Sequence, residues 1–348
     1  MSDPIKALVV DDSALVRQLL TKILDSDPEI EVVGAAADPY VARQKILALH
    51  PDVLTLDVEM PRMDGLTFLE KLMKGHPMPV VMVSSLTNQS AETTLRALSL
   101  GAVDYVAKPK LDVASGTIEL ADEIIAKVKM AAKARVRAAA ARPAATAATS
   151  AHSYQIAATH KVVAVGASTG GTEALVELLA PLPADFPGIV IVQHMPEAFT
   201  SHFASRLDTL CRIRVSEARD GDRILPGHAL LAPGGRHMAV ARRGMEYAVH
   251  VYQGERVNRH MPSVDVLFSS CAKHLGRNAL GVILTGMGND GARGMLEMKQ
   301  ASGYNFAQDE RTSVVFGMPR EAIALKAVDE VHPLGNLPSA LLRRLAAH

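Results

Sequence analysis

Tryptophan is absent from this 348-residue chain, and aromatic residues together make up only 4% of it. Its cores must therefore be assembled from Val, Leu, Ile, Ala and Met. There are two cysteines, Cys211 and Cys271, and neither sits in a CxxC pair. That excludes a disulfide framework, and buried, reduced thiols in a cytoplasmic protein are the expectation. No apolar stretch approaches the ~20 residues needed to span a bilayer, so the protein is not expected to be membrane-embedded. The opening MSDPIKALVVDD lacks a basic region followed by a long apolar run, so no signal peptide is expected either. Net charge is also missing, with 37 Lys/Arg against 37 Asp/Glu. At 48% hydrophobic and 21% charged residues the composition is that of a folded soluble protein rather than a disordered one.

The zero net charge hides a partition. Residues 1–125 hold 11 Lys/Arg against 19 Asp/Glu, residues 126–160 hold 6 against none, and residues 161–348 hold 20 against 18. This implies an acidic domain over 1–125, a basic connector over 126–159 and a near-neutral domain over 160–348. Within the connector, 12 of the 21 residues from Ala131 to Ala151 are Ala. Up to about Arg142 it continues a helical pattern, and beyond Pro143 it has nothing to bury and reads as a flexible linker. Six charges without interleaved aromatics do not make a nucleic-acid site, and no nucleic-acid partner is expected.

In the acidic segment the apolar runs ALVV (7–10), VLTL (53–56), VVMVS (80–84) and VDYVA (103–107) alternate with helical patterns over 14–24, 38–49 and 94–101. Buried strands alternating with helices predict a doubly wound α/β domain on a parallel sheet, with ligands at the carboxyl ends of its strands. From Lys161 a second βα pattern begins, again α/β, with short strands and turns over His228–His250 that add antiparallel trimming.

At the strand ends of the first domain lie Asp11, Asp12 and Asp57, then Ser84, then Lys108. Three converging carboxylates repel one another unless a cation sits among them, and Mg²⁺ suits such oxygen ligands. A hydroxyl and an ammonium at the same edge suit phosphoryl oxygens, with Asp57 as the nucleophile. Taken singly, each residue has a plainer reading: Asp11-Asp12 as a helix cap, Lys108 as a surface charge. Together, DD (11–12), LDVEMPRMDG (56–65), VSS (83–85) and YVAKP (105–109) resemble the receiver domain of bacterial response regulators. That resemblance implies Asp57 as phosphoacceptor, Asp11 and Asp12 as Mg²⁺ ligands with it, Ser84 and Lys108 as phosphate contacts, and Tyr105 as the aromatic that reorients on phosphorylation. Ser84 stands where many receivers carry Thr, which keeps the hydroxyl.

In the second domain the strand VVAVG runs into Gly166-Ala167-Ser168-Thr169-Gly170-Gly171 and a helix. Such a turn exposes a nucleophilic Ser, and it also serves nucleotide phosphates. A dinucleotide site wants an acid at the end of the next strand. GIVIVQ instead ends at His194, which favours catalysis. Asp290 follows a further strand in a Gly-rich turn. Ser168 as nucleophile, His194 as base and Asp290 as its orienter form a triad in an order of their own. His260, in NRHMPSVD (258–265), is the reserve base.

The segments GASTGG, QHMP, RHMPSVDVLF, TGMGNDG and VFGMPREA are similar to the catalytic domain of CheB-type chemotaxis protein-glutamate methylesterases. This resemblance implies hydrolysis of glutamyl methyl esters on methyl-accepting chemoreceptors, with deamidation of receptor glutamines as a related reaction and no cofactor for either. It implies the Met287 N–H as oxyanion donor with Thr169 beside it, and a chemosensory histidine kinase as phosphodonor. Phosphorylation is expected to open an arrangement in which the receiver covers the Ser168 site. The rivals are a regulator with DNA-binding output, one with a nucleotide-binding output, and a catalytically idle receptor-binding adaptor.

Overall fold

Parallel strands covered on both faces have no solvent side to alternate toward, so they read as continuous apolar runs. The computed structural model describes residues 3–85, 87–109, 116–134 and 160–346, and the chain divides into two compact units, Met1–Ala145 and Thr146–His348. In the first unit β1 (Ile5–Val10), β2 (Ile30–Ala36), β3 (Val53–Asp57), β4 (Val80–Ser84) and β5 (Asp104–Ala107) pair in parallel in the order β2-β1-β3-β4-β5. Residues Ala7 to Val10 are wholly buried. β2 was not among the four apolar runs, because it is an edge strand with a half-exposed middle.

Between the strands lie α1 (Ala14–Leu24), α2 (Pro39–Leu49), α3 (Gly65–Gly75) and α4 (Asn88–Ser99), and α5 (Gly116–Ala132) follows β5. Side-chain caps start four of them, Thr87 capping α4 by accepting from the Ser90 N–H. Ser13 caps α1 by accepting from the Val16 N–H, Asp38 caps α2 ahead of Pro39, and Asp64 caps α3. The α1 cap is thus Ser13 rather than the Asp11-Asp12 pair. The boundary expected at residue 125 falls inside α5, whose buried Ile124, Val128 and Ala131 continue an apolar spacing past the change in charge. From residue 135 to 159 the expected linker lies outside the described residues.

The second unit is built on a seven-stranded sheet of β6 (Val162–Ala167), β7 (Gly188–Gln193), β8 (Arg214–Glu217), β9 (His228–Leu231), β12 (Ala279–Ile283), β13 (Tyr304–Gln308) and β14 (Glu330–His332). All pair in parallel, in the order β14-β13-β12-β6-β7-β9-β8. β10 (His237–Arg243) and β11 (Glu246–Tyr252) form a separate antiparallel hairpin, the trimming expected in that stretch. The helices are α6 (Gly171–Leu179), α7 (Glu197–Leu210), α8 (Val264–Leu275), α9 (Ala292–Gln300), α10 (Met318–Ala324) and α11 (Leu337–Ala346).

Five of the seven phenylalanines, Phe186, Phe199, Phe203, Phe268 and Phe306, are fully buried here. Each contributes about 1.5–3 kcal/mol of burial, so the scarce aromatics are concentrated in this unit's core. Two glycines set how closely α8 approaches the sheet. A Cβ on Gly166 would lie 2.2 Å from Val264 Cγ1, and one on Gly291 would lie 2.5 Å from the same atom. Val264, the first residue of α8, is seated between them, which brings the amino end of α8 to the loop after β12.

Candidate active site

The three adjacent strands β12, β6 and β7 deliver Asp290, Ser168 and His194 to one edge of the sheet. Ser168 follows β6 directly and His194 follows β7. The two strands stay in register to their ends, with the His194 N–H donating to the Ala167 carbonyl at 3.1 Å. The Gln193 amide donates to the Ser168 carbonyl at 2.8 Å and to that of His194 at 3.2 Å, tying the two turns together. Gly171 starts α6 without a side chain because a Cβ there would lie 2.1 Å from Gln193 Oε1.

Asp290 is the most heavily hydrogen-bonded acid of this edge and is 1% exposed. Its Oδ2 accepts from His194 Nε2 at 2.8 Å and the Val264 N–H at 2.7 Å. Oδ1 accepts from Asn258 Nδ2 at 2.7 Å, Ser263 Oγ at 2.8 Å and the Asp265 N–H at 3.2 Å. Burial alone would raise its pKa, but the bond and charge of His194, with Asn258 and the Val264 amide, hold the carboxyl far below the usual range. An ionised acid only accepts, so Nε2 of His194 carries the hydrogen. Nδ1 is left as the basic nitrogen. It is buried and has no hydrogen-bond partner among the described residues. Ser168 and His194 are therefore not hydrogen-bonded to one another here.

The His260 ring stacks on that of His194, with centroids 3.7 Å apart. It stands in a tight turn in which Val257 and His260 exchange backbone hydrogen bonds. Thr169 is buried, and its carbonyl accepts from Thr285 Oγ1 at 2.9 Å. The Met287 side chain is 42% exposed, while its N–H donates to no acceptor among the described residues. The residue before Met287 lies close to Ser168: a Cβ on Gly286 would be 2.8 Å from Ser168 Cβ. Gly317 backs this segment, since a Cβ there would meet the Gly286 carbonyl at 2.6 Å and Met287 Cα at 3.2 Å.

In the first unit Asp11, Asp12 and Asp57 converge, with one carboxylate oxygen of each within 4.8 Å of the others. Asp11 Oδ2 is buried without a hydrogen-bond partner among the described residues. An orphaned anionic oxygen in a set of hard oxygen donors fits a Mg²⁺ ion. Lys108 Nζ donates to Asp57 Oδ2 at 2.8 Å and lies 3.7 Å from Asp11 Oδ2. Burial, with the charge of Asp11, lifts the Asp57 carboxyl to about 6 against the pull of Lys108. Burial works against the Lys108 ammonium, yet its bond to Asp57 and the surrounding carboxylates raise its pKa. Gly65 is required where α3 meets this edge: a Cβ would fall 2.0 Å from the Asp57 carbonyl oxygen.

Ser84 is buried one residue past the Asp57–Val83 pair, and its hydroxyl is engaged by Thr94 of α4 at 2.9 Å rather than by Asp57. Tyr105 is buried on β5, with the Lys127 ammonium 4.9 Å from its ring centroid. Sequence reasoning missed Asn258, Ser263, Gln193 and Thr94. Of these only Ser263, a cap residue ahead of an apolar helix, left a recognisable signal.

Comparison with known proteins supplies the context for this geometry. Residues 163–341 match the family described as CheB methylesterase, and residues 7–114 match the response regulator receiver domain. A protein of Geobacter metallireducens named protein-glutamate methylesterase/protein-glutamine glutaminase 1 is 60% identical over 347 residues, covering 98% of this chain and 96% of its own. A Cupriavidus pinatubonensis protein named protein-glutamate methylesterase/protein-glutamine glutaminase 2 is 57% identical over 99% of this chain and 97% of its own. The crystal structure of the Thermotoga maritima CheB methylesterase catalytic domain superposes with a TM-score of 0.52 at 37% identity, covering 53% of this chain and 98% of that one.

Proposed function

This chain belongs to the CheB methylesterase family and carries a response regulator receiver domain, and from that membership we propose a phosphorylation-activated esterase working through a Ser168 acyl-enzyme. It is an enzyme of the protein-glutamate methylesterase/protein-glutamine glutaminase class. Its substrates are glutamyl methyl esters and glutamine amides on chemoreceptors. The observation that carries the mechanism is the His194–Asp290 pair, 2.8 Å long and buried beside the Ser168 turn.

Ser168 Oγ attacks the side-chain carbonyl carbon while His194 Nδ1 takes its proton. Asp290, fixed by its other donors, holds the imidazole through Nε2 and stabilises the imidazolium that forms. The oxygen of the tetrahedral adduct is met by the Met287 N–H, with Thr169 beside it. Collapse expels methanol, or ammonia from glutamine, with the proton returned from Nδ1. Water then adds to the acyl carbon by the same route and releases the glutamate carboxylate and free Ser168.

In the receiver, Asp57 takes a phosphoryl group from a chemosensory histidine kinase. Lys108 turns from the carboxylate to the phosphoryl oxygens, and Ser84 leaves Thr94 to join it. Asp11, Asp12 and Asp57 would hold Mg²⁺, which supplies charge neutralisation at those oxygens. Methanol release from methylated receptor membranes, with and without acetyl phosphate and Mg²⁺, tests both halves. Ser168→Ala is expected to abolish release, and Asp57→Ala to abolish only the stimulation. Full release from Ser168→Ala would sink the acyl-enzyme, and equal stimulation of Asp57→Ala would sink the switch.

A further inference from the structure

Asn258 lies outside the Ser–His–Asp set, yet its side-chain amide serves two acids at once. Nδ2 is 2.7 Å from Asp290 Oδ1 and 2.7 Å from Asp265 Oδ2. An amide nitrogen carries two hydrogens, and here each carboxylate takes one. Asp265 is half-buried at the start of α8, and burial together with the Asp290 charge pushes its carboxyl up. Its other oxygen accepts from the Gly294 N–H at 2.7 Å. Two carboxylates this close repel unless a donor stands between them. Among the described residues Asn258 is the one side chain bonded to both.

The remaining donors to Asp290 Oδ1 are Ser263 and the Asp265 N–H, both from the segment that carries Asp265 itself. Asn258 approaches from the preceding turn, where its φ is +51° and that of Arg259 is +68°. Asn tolerates this left-handed conformation better than most residues because its short polar side chain bonds locally.

We propose that Asn258 is a positioning residue for the esterase reaction. It screens Asp290 from the charge of Asp265 and anchors Oδ1, so that Oδ2 stays aimed at His194 Nε2. The inference rests on the Ser168–His194–Asp290 reading above, and its test separates the two.

The full-length chain is assayed for methanol release from methylated receptor membranes, with kcat and KM resolved. Asn258→Gly removes the amide and leaves the left-handed backbone unstrained, while Asn258→Asp keeps the shape and places a third carboxylate there. Asn258→Gly is expected to lose about tenfold in kcat with KM changed less than about twofold, and Asn258→Asp to lose more. Adding Asp265→Asn to Asn258→Gly removes the competing charge, keeps an acceptor for Gly294, and is expected to restore kcat by about threefold or more. A merely structural Asn258 would show no such rescue. An Asn258→Gly enzyme with undiminished kcat, or a loss that Asp265→Asn leaves untouched, overturns the inference. Beside an inactive Ser168→Ala, that result removes the role of Asn258 alone. An active Ser168→Ala removes the triad and this inference with it.

Discussion

The imidazole of His260 lies flat against that of His194, the ring planes 13° from parallel and the centroids 3.7 Å apart. In the proposed mechanism His194 takes a proton from Ser168 and passes it to the leaving group, and a wall that limits ring rotation favours that transfer. His260→Ala should lower kcat by about threefold to tenfold, the worth of one such ring pair. His260→Phe keeps a flat partner and should recover much of that loss. If His260 were itself the base, both variants would be equally dead in the methanol-release assay, which decides between stack and base.

Asp290→Asn would replace an acceptor-only group with one that donates as well, against a site in which five donors face it. His194 would then lose the tautomer that leaves Nδ1 basic, and kcat should fall by about 10⁴. The same carboxyl has a stability signature. Its folded pKa lies below the ordinary value of 3.8, so its contribution is complete above that value and is lost as pH falls through the folded pKa. Acid melts of wild type and Asp290→Asn should therefore keep a constant gap above about pH 4 and draw together progressively as pH falls below it. Parallel curves would contradict the assignment.

Gly317→Ala carries the oxyanion argument. The added methyl must displace the Gly286 carbonyl or the Met287 backbone, and either moves the Met287 N–H from Ser168. Loss of one oxyanion donor costs about 10²–10³ in kcat. A variant that melts normally and keeps its kcat would show that Met287 is not the donor.

In the receiver, Asp57 titrates from the ordinary 3.8 up to about 6 on folding. A carboxyl whose folded pKa is raised favours the native state when protonated, so the metal-free receiver should lose stability as pH rises from about 4 to about 6. Mg²⁺ should reverse this above that window, raising Tm with little effect below it, where protons compete for the same oxygens. Calorimetry across that range with Mg²⁺ or with EDTA measures the difference. A metal effect independent of pH would argue against ligation by Asp57.

The two thiols should be inert. Burial pushes Cys271 up to about 12, and burial with the nearby Asp208 charge lifts Cys211 to about 11. Iodoacetamide at about pH 8 should leave both unmodified in the folded chain, as mass spectrometry would report. Rapid alkylation of Cys271 would mean that its core opens.

Residues at strand ends were legible in the sequence. Asp57, Lys108, Ser168, His194 and Asp290 each follow an apolar run, and parallel topology alone gathers such positions at one edge. Asn258 and His260 were less so, because their placement depends on two left-handed residues in a turn and on a segment that precedes α8 rather than following a strand. Thr94 was invisible for another reason. It lies mid-helix in α4, and only the packing of that helix on β4 brings its hydroxyl to Ser84. β2 was missed because its edge position leaves its middle half-exposed, without the continuous apolar run of a buried strand.

The β10–β11 hairpin ends at Met245, whose side chain is 80% exposed. Ser168 and His194 precede that tip, and Asp290 follows it. A chain severed there would divide the proposed nucleophile and base from the acid proposed to orient them, while leaving both halves of the hairpin to find each other through their ladder. The catalytic unit is thus laid out as a natural split reporter. Esterase turnover from two fragments would measure their reassembly, since neither fragment holds all three of the proposed reacting groups.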